Sequence, residues 1–173
     1  EQQPPILVAA LREGMLRLAA REGDGAIINW LSPDDVRQVA SVVHDASGGE
    51  PKEIVCRVFC CPSENAEAVR GAAKFAIAAY LNVPVYAAFH EWLGRGEVLR
   101  PMWDAWKAGD RKAALEAIPD SLVDELVVHG SPEHCRSVID RYFDNGVTTT
   151  SLAMLPLDPD LKFWDAVTAL APR

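Results

Sequence analysis

The stretch that decides the fold is residues 6–31, ILVAALREGMLRLAAREGDGAIINWL. It begins with a short apolar run that is typical of a strand buried on both faces, as strands of a parallel sheet are. From Glu13 the apolar residues recur at helical spacing, and Gly23 ends the predicted helix. A second apolar run, residues 26–30, follows after a turn. The stretch therefore predicts one β-α-β unit.

The start of this helix is a candidate anion site. Residues 12–16 follow directly on a strand end, so unpaired backbone N–H groups and the helix dipole face the space beyond the sheet. Gly14 permits a close approach, and Arg12 supplies a charge and a fork of donors. An ordinary strand-to-helix turn with a solvated arginine explains the same residues equally well, so both interpretations stay open.

The composition fits one domain, residues 1–173, with a substantial core. The chain is 49% hydrophobic. Its 17 basic and 25 acidic residues give a formal net charge of −8, and there is no block of Lys or Arg, which argues against a nucleic-acid partner. No apolar run is long enough to cross a membrane, and the opening EQQPP shows no signal-peptide pattern. We therefore expect no membrane partner and a cytoplasmic location.

The rest of the chain alternates between strand and helix patterns. Third and fourth strands are predicted over residues 54–61 and 147–155, and residues 122–130 are predicted to be a short helix. Residues 84–117 hold more helix than a crossover needs, so they are predicted to be a helical insertion that shapes a rim or adds packing. The order predicts an α/β fold with a parallel sheet.

Arg57 interrupts the third strand, which is otherwise apolar. Two explanations are open: its side chain faces a solvated interior, or it pairs with an acidic residue that the sequence does not identify. The four cysteines lack the paired C-x-x-C spacing of a zinc site, so we expect buried, reduced thiols and no metal centre.

Catalytic motifs are few. His90-Glu91 lacks the second histidine of H-E-x-x-H, because residue 94 is glycine. His129 and His134 flank a predicted helix cap and are expected to be exposed rather than metal ligands. The glycine motifs of phosphate and dinucleotide sites and the G-x-S-x-G nucleophile motif are absent from the sequence. No catalytic residue is therefore assigned.

Two segments, residues 6–36 and HGSPEHCRSVIDRYFDNGVTTTSLAMLPLD at 129–158, resemble the C-terminal half of the luciferase-like oxidoreductases. That group contains FMN-dependent monooxygenases and coenzyme F420-dependent dehydrogenases and reductases. The resemblance implies that the chain is strands five to eight, the C-terminal half, of a (β/α)8 TIM barrel, and that the first four strands are missing. Half a barrel has two open edges and an apolar concave face, so self-association or a missing N-terminal half is expected.

The resemblance also implies a cofactor site. In this family the cofactor lies at the C-terminal ends of the strands, and its phosphate is held by the turn after strand five. Carried over by position, the cofactor-binding residues are Ala10, Leu11, Arg12, Glu13, Gly14 and Met15 in that turn, and Asn29 and Trp30 at the next strand end. The family often has paired small residues in the turn, whereas this chain has Leu11-Arg12-Glu13-Gly14, where Arg12 is a candidate to compensate.

The function implied by the resemblance is that of an oxidoreductase acting on a small-molecule substrate. It would use coenzyme F420 for hydride transfer or, alternatively, FMN for monooxygenation, with the protein supplying orientation and electrostatics. The segment INWLSPDDV at residues 28–36 resembles the F420-dependent subgroup, which favours coenzyme F420. The competing interpretation is a non-catalytic fragment or assembly module that binds no cofactor. Trp103 and Trp106 in the rim are candidates for stacking on a ligand, although aromatic residues at helical spacing are more often core.

Overall fold

Five parallel strands and nine helices alternate along residues 3–171, the part of the chain that the computed structural model describes. The strands are β1 (Leu7–Ala9), β2 (Gly25–Asn29), β3 (Glu53–Cys61), β4 (Val128–His129) and β5 (Thr149–Met154). The helices are α1 (Glu13–Glu22), α2 (Pro33–Ala46), α3 (Ala66–Leu81), α4 (Pro84–Trp92), α5 (Gly96–Lys107), α6 (Arg111–Glu116), α7 (Asp120–Leu126), α8 (Pro132–Asp144) and α9 (Phe163–Leu170). The predicted α/β fold of parallel strands alternating with helices is confirmed.

Strand β3 is the centre of the sheet. It pairs with β2 along residues 53–57 and with β5 along residues 55–60, and β4 pairs only with Cys60 and Cys61 at its end. Strand β1 lies on the far side of β2. Since all these pairs are parallel, the C-terminal ends of the strands lie at one edge of the sheet, and the loops that follow them are neighbours.

The two faces of the sheet differ because successive side chains of a strand alternate between them. Cys56, Val58 and Cys60 of β3 are buried in a core that also contains Leu16 of α1 and Val39 of α2. On the other face, Arg57 of β3 is exposed, and Ile27 of β2 is 38% exposed. Helices therefore cover one face, while part of the opposite face is open.

A second core lies over the C-terminal end of β3. It packs side chains of α3, α5 and α7, such as Ile77, Met102 and Leu126, against Trp30 and Phe59. Residues 84–117, where a helical insertion was predicted, form α4, α5 and α6. Within residues 3–171 no single helix is long and apolar enough to cross a membrane. Helices α3 and α4 are long and apolar enough only when they are counted as one segment, and the chain bends by 102° at the break between them.

The prediction of one helix over residues 122–130 was wrong. Helix α7 ends at Leu126, and the next residues, Val128–His129, form the two-residue strand β4 on the end of β3. The run VVH is apolar and β-branched, and such a short segment fits a helix end or a strand equally well by its pattern. Pairing with β3, a contact distant in sequence, decides between them.

A largely buried ion pair anchors the α4–α5 connection to the start of α2. Arg95 Nη2 lies 2.8 Å from Asp35 Oδ2, and both side chains are 11% exposed. Asp35 also completes a capping box with Ser32 at the N-terminus of α2. His90 is fully buried in this region. Burial, and then the charge of Arg95, lower the pKa of His90 to about 4, although Asp35 acts in the opposite direction.

Strand β2 depends on a glycine where it meets β3. A Cβ atom at Gly25 would lie 2.1 Å from the carbonyl oxygen of Glu53, so Gly25→Ala must displace backbone. We expect this substitution to lower the free energy of unfolding by about 1–3 kcal/mol. Gly71, exposed on α3 with nothing within 4 Å of its Cβ position, is the control. Gly71→Ala should raise stability by up to about 1 kcal/mol. Urea unfolding measures both changes, and equal midpoints for the two variants would contradict the prediction.

The buried His90 predicts acid sensitivity. Its pKa is about 4 in the folded chain against an ordinary value of 6.5, so between these values the unfolded chain binds more protons than the folded chain. The contribution of His90 to the free energy of unfolding is complete above pH 6.5. As the pH falls to 4, the free energy of unfolding decreases by up to about 3 kcal/mol through this group. We expect His90→Gln to flatten the pH dependence of the urea midpoint in this window. Parallel profiles for the two proteins would show that His90 does not cause it.

Candidate functional site

A cleft of about 920 Å³ opens at the C-terminal ends of β1 and β2. It is lined by residues 9–15 of the β1–α1 turn, by Ile27, Asn29 and Arg57 of the neighbouring strands, and by Val85, Tyr86 and Trp92 of α4. The strands supply its floor, the start of α1 supplies one wall, and α4 supplies the rim. In parallel α/β folds, ligands bind at this edge of the sheet.

Seven of the eight residues predicted to bind a cofactor line this cleft. They are Ala10, Leu11, Arg12, Glu13, Gly14, Met15 and Asn29. The eighth, Trp30, does not: it is 1% exposed, and its ring stacks on Phe59 with 4.0 Å between the centroids. The backbone of Trp30 has a φ of 54°, a left-handed conformation that bulky residues rarely adopt. Trp30 is therefore buried against Phe59 and is not part of the cleft lining.

The β1–α1 turn presents unpaired backbone donors. Arg12 is the N-cap of α1, has an extended backbone, and makes no capping hydrogen bond with its exposed side chain. Its carbonyl oxygen accepts the N–H of Leu16 at 3.0 Å. The N–H groups of residues 13–15 precede that bond, so they have no acceptor within the helix. Together with the Arg12 guanidinium and the helix dipole, they make this corner of the cleft favourable for an anion.

Polar side chains form one row across the open face of the sheet, and two of them, Asn29 and Arg57, line the cleft. Asn29 of β2 is in register with Arg57 of β3, which is in register with Ser151 of β5. The Asn29 Nδ2 atom donates to the Tyr86 hydroxyl at 3.3 Å. The guanidinium of Arg57 lies 4.8 Å from the centroid of the Phe59 ring. Of the two explanations left open for Arg57, the structure supports the solvated, open face of the sheet.

Sequence reasoning missed the contribution of α4. The helical pattern over residues 84–117 does not show that Val85, Tyr86 and Trp92 of α4 face the cleft. The rim tryptophans that were considered instead lie outside the cleft lining. Trp103 donates its Nε1–H to the carbonyl of Leu81 at 2.8 Å, and Trp106 lies under the guanidinium of Arg111. Pro84 starts α4, where the chain bends sharply after α3, and it marks this bend in the sequence.

Other predictions about reactive side chains had mixed outcomes. The thiols at positions 56, 60, 61 and 135 are free and buried, as expected, and burial raises the pKa of Cys56 and of Cys60 to about 12. His134 is exposed as expected, but exposure was wrong for His129. Its side chain is 12% exposed, and Nε2 lies 2.8 Å from Oδ1 of Asp124. Residues 3–171 contain no group of three or more potential ligands that could hold a metal ion.

Comparison with known proteins gives one family and one curated relative. The sequence model of a family described as luciferase-like monooxygenase matches residues 1–149. The 5,10-methylenetetrahydromethanopterin reductase of Methanolobus tindarius is 28% identical over 168 residues, covering 90% of this chain and 49% of that protein. The chain therefore spans about half the length of the curated relative that it matches.

Two solved structures have a similar fold. The coenzyme F420 dependent tetrahydromethanopterin reductase from Methanopyrus kandleri gives a TM-score of 0.73 at 17% identity, covering 96% of this chain and 48% of that chain. The oxygenating constituent of 3,6-diketocamphane monooxygenase from Pseudomonas putida was solved in complex with FMN. It gives a TM-score of 0.52 at 15% identity, covering 98% of this chain and 47% of that chain. These likenesses show an α/β fold of parallel strands and helices similar to that of barrel-like luciferase-like proteins.

Proposed function

Because this chain belongs to the luciferase-like monooxygenase family, we propose that it is the cofactor-binding part of an oxidoreductase that uses coenzyme F420. One observation carries the proposal. The β1–α1 turn and Asn29, both predicted to bind the cofactor, border a single cleft at the C-terminal ends of parallel strands. The substrate is a small molecule that enters the same cleft.

The phosphate of the cofactor lies at the N-terminus of α1 in this proposal. The free N–H groups of residues 13–15 donate to it, and the guanidinium of Arg12 neutralises its charge. Gly14 has nothing within 4 Å of its Cβ position, so its backbone is open to close approach. The donor set thus fits a phosphate, although the paired small residues typical of the family are absent from this turn.

The chemistry that bound F420 would supply is hydride transfer to or from the substrate. The chain's own residues bind the phosphate, orient the ring through Asn29 and Tyr86, and restrict water at the rim through Trp92. These assignments follow from the lining of the cleft. No side chain of the lining is assigned as a proton donor or acceptor in the reaction.

The choice of F420 over FMN is supported by two observations. Residues 28–36 resemble the F420 subgroup, and one solved structure of similar fold is described as F420 dependent. FMN is the alternative cofactor, and it is supported by the FMN complex of the Pseudomonas putida monooxygenase. Both cofactors carry a phosphate, so the assignment of Arg12 is the same for either.

We also propose that residues 1–173 are one domain, the C-terminal half of a (β/α)8 barrel. Strands β1, β2, β3 and β5 then correspond to strands five to eight, and β4 is a short addition at the end of β3. The open face around Ile27 and the coverage of 48% of the Methanopyrus kandleri chain support this proposal. An N-terminal half of the same barrel covers that face, or a second copy of the chain does.

The phosphate assignment predicts the effect of Arg12→Ala. We expect F420 to bind at least about tenfold more weakly, because a hydrogen bond to a charged group contributes about 1.5–3 kcal/mol. Deazaflavin fluorescence during titration measures the affinity. Arg17→Ala, at an exposed position of α1 outside the cleft lining, is the control and should bind as the wild type does. A deazaflavin that lacks the phosphate should bind with the same affinity to the wild type and to both variants. Unchanged F420 affinity in Arg12→Ala would contradict the phosphate assignment. A wild-type chain that binds neither F420 nor FMN would instead favour the non-catalytic assembly module.

The half-barrel predicts association. The 173-residue chain should sediment as a dimer or larger species at micromolar concentration, because the open sheet edges and the partly apolar open face are unfavourable in water. Co-expression with an N-terminal half from a related barrel should replace self-association by a one-to-one complex. The proposal would be contradicted by a chain that is monomeric in sedimentation velocity and forms no complex with the N-terminal half.

A further inference from the structure

We infer that Arg57 binds an anionic oxygen group, a carboxylate or a phosphate, of the molecule that occupies the cleft, at a position separate from the N-terminus of α1. This inference rests on the proposed function only in taking the cleft as the ligand site. The group belongs either to the substrate or to the cofactor, and the chemistry that recognises it is the same.

Arg57 lies on the central strand of the sheet and has no counter-ion in the part of the chain that the structure describes. The strand around it, IVCRVFCC at residues 54–61, is otherwise apolar. Among residues 3–171 no carboxylate forms an ion pair with Arg57, and its recorded contact is the ring of Phe59. Arg95, the cation nearest to full burial, instead has both Asp35 and Glu125 within 3.0 Å. The fold supplies acids for the arginine that anchors the insertion, whereas Arg57 has no acidic partner within residues 3–171.

The aromatic ring beneath Arg57 holds the guanidinium in place without using its donors. Phe59 is 3% exposed, and it stacks on Trp30 at an interplanar angle of 25°. A guanidinium over a ring face keeps its N–H groups in its own plane, where they remain available to a planar carboxylate or to a phosphate. The contact therefore positions Arg57 and leaves its fork of donors free for a ligand.

The neighbours of Arg57 extend the donor row. Asn29 on one side carries an amide that also donates to Tyr86, and Ser151 on the other side carries an exposed hydroxyl. The equivalent interior layers of barrel proteins are mostly filled by bulky apolar side chains. A layer of amide, guanidinium and hydroxyl groups instead suits the oxygens of an anion.

This position and the α1 corner are distinct. Arg57 lies on β3 and the α1 corner follows β1, so two strand spacings, roughly 10 Å, separate the two backbones. The cleft thus suits two anionic groups, carried by two molecules or by one long ligand.

The test measures anion binding in the Arg12→Ala background, which removes the cationic side chain at the other corner. Inorganic phosphate and acetate are the probes, and calorimetry gives their affinities. We expect Arg57→Gln to weaken both by at least tenfold and Arg57→Lys to retain most of the binding, while Arg17→Gln changes neither. Because Arg57 is exposed in the single chain, these variants should keep the wild-type unfolding midpoint at a concentration at which the proteins are monomeric. Unchanged anion affinity in Arg57→Gln would overturn the inference.

Titration of cofactors into Arg57→Gln identifies the source of the anion. Weaker binding of F420, with unchanged binding of FMN and of riboflavin, which has no phosphate, assigns the anion to the F420 cofactor. Unchanged binding of all three assigns it to the substrate, and either result supports the anion site. Equal weakening of riboflavin would overturn it, because Arg57 would then be supporting the ring site in general. Weaker binding of FMN would overturn the separation from the α1 corner, because FMN has only the one phosphate assigned there. If the wild type binds no flavin or deazaflavin but loses anion binding through Arg57→Gln, the proposed function fails while the anion site stands.

Discussion

The parallel pairing of β3 with β2 and β5 is the constraint on which the rest of the structure depends. Parallel strands bring their C-terminal ends to one edge, so the turn after β1, the end of β2 and the insertion after β3 meet there. The alternation of side chains then divides β3. Cys56 and Val58 are buried under helices, and Arg57 between them faces the open side. A slip of one residue would bury the charge and expose the core.

The insertion completes the cleft because it is anchored at two places. Phe59 and Trp30 hold it through the second core, and Arg95 ties it to Asp35 at the start of α2. The second contact joins two helix starts that are distant in sequence, and both side chains are largely buried. Breaking such a pair by removing one partner leaves an uncompensated buried charge, which costs more than the intact pair contributes. The rim residue Tyr86 is therefore carried on a rigid element rather than on a free loop.

The sequence predicted most of this fold because its local signals agree with one another. Gly23 ends α1, and Ser32 followed by Pro33 starts α2 with the capping box that the structure shows. The β1–α1 turn lines the cleft as expected, since it is fixed by neighbours in sequence. Strand β4 was missed because only pairing with β3 distinguishes it from a helix end. Trp30 was misplaced because a positive φ at a tryptophan has no signature in the sequence. Tyr86 reaches the cleft through tertiary packing, which periodicity does not encode.

The open face brings together two demands that oppose each other. Covering Ile27 with further strands removes apolar surface from water and stabilises the assembly. The same cover takes Arg57 out of water, and a buried charge without a partner costs several kcal/mol. An anion beside Arg57 offsets that cost, so a ligand that supplies one binds more tightly to the covered state than to the open one. By linkage, such a ligand also strengthens the association that covers the face. Under the proposals made above, closure of the barrel and occupation of its cleft are therefore coupled through one arginine.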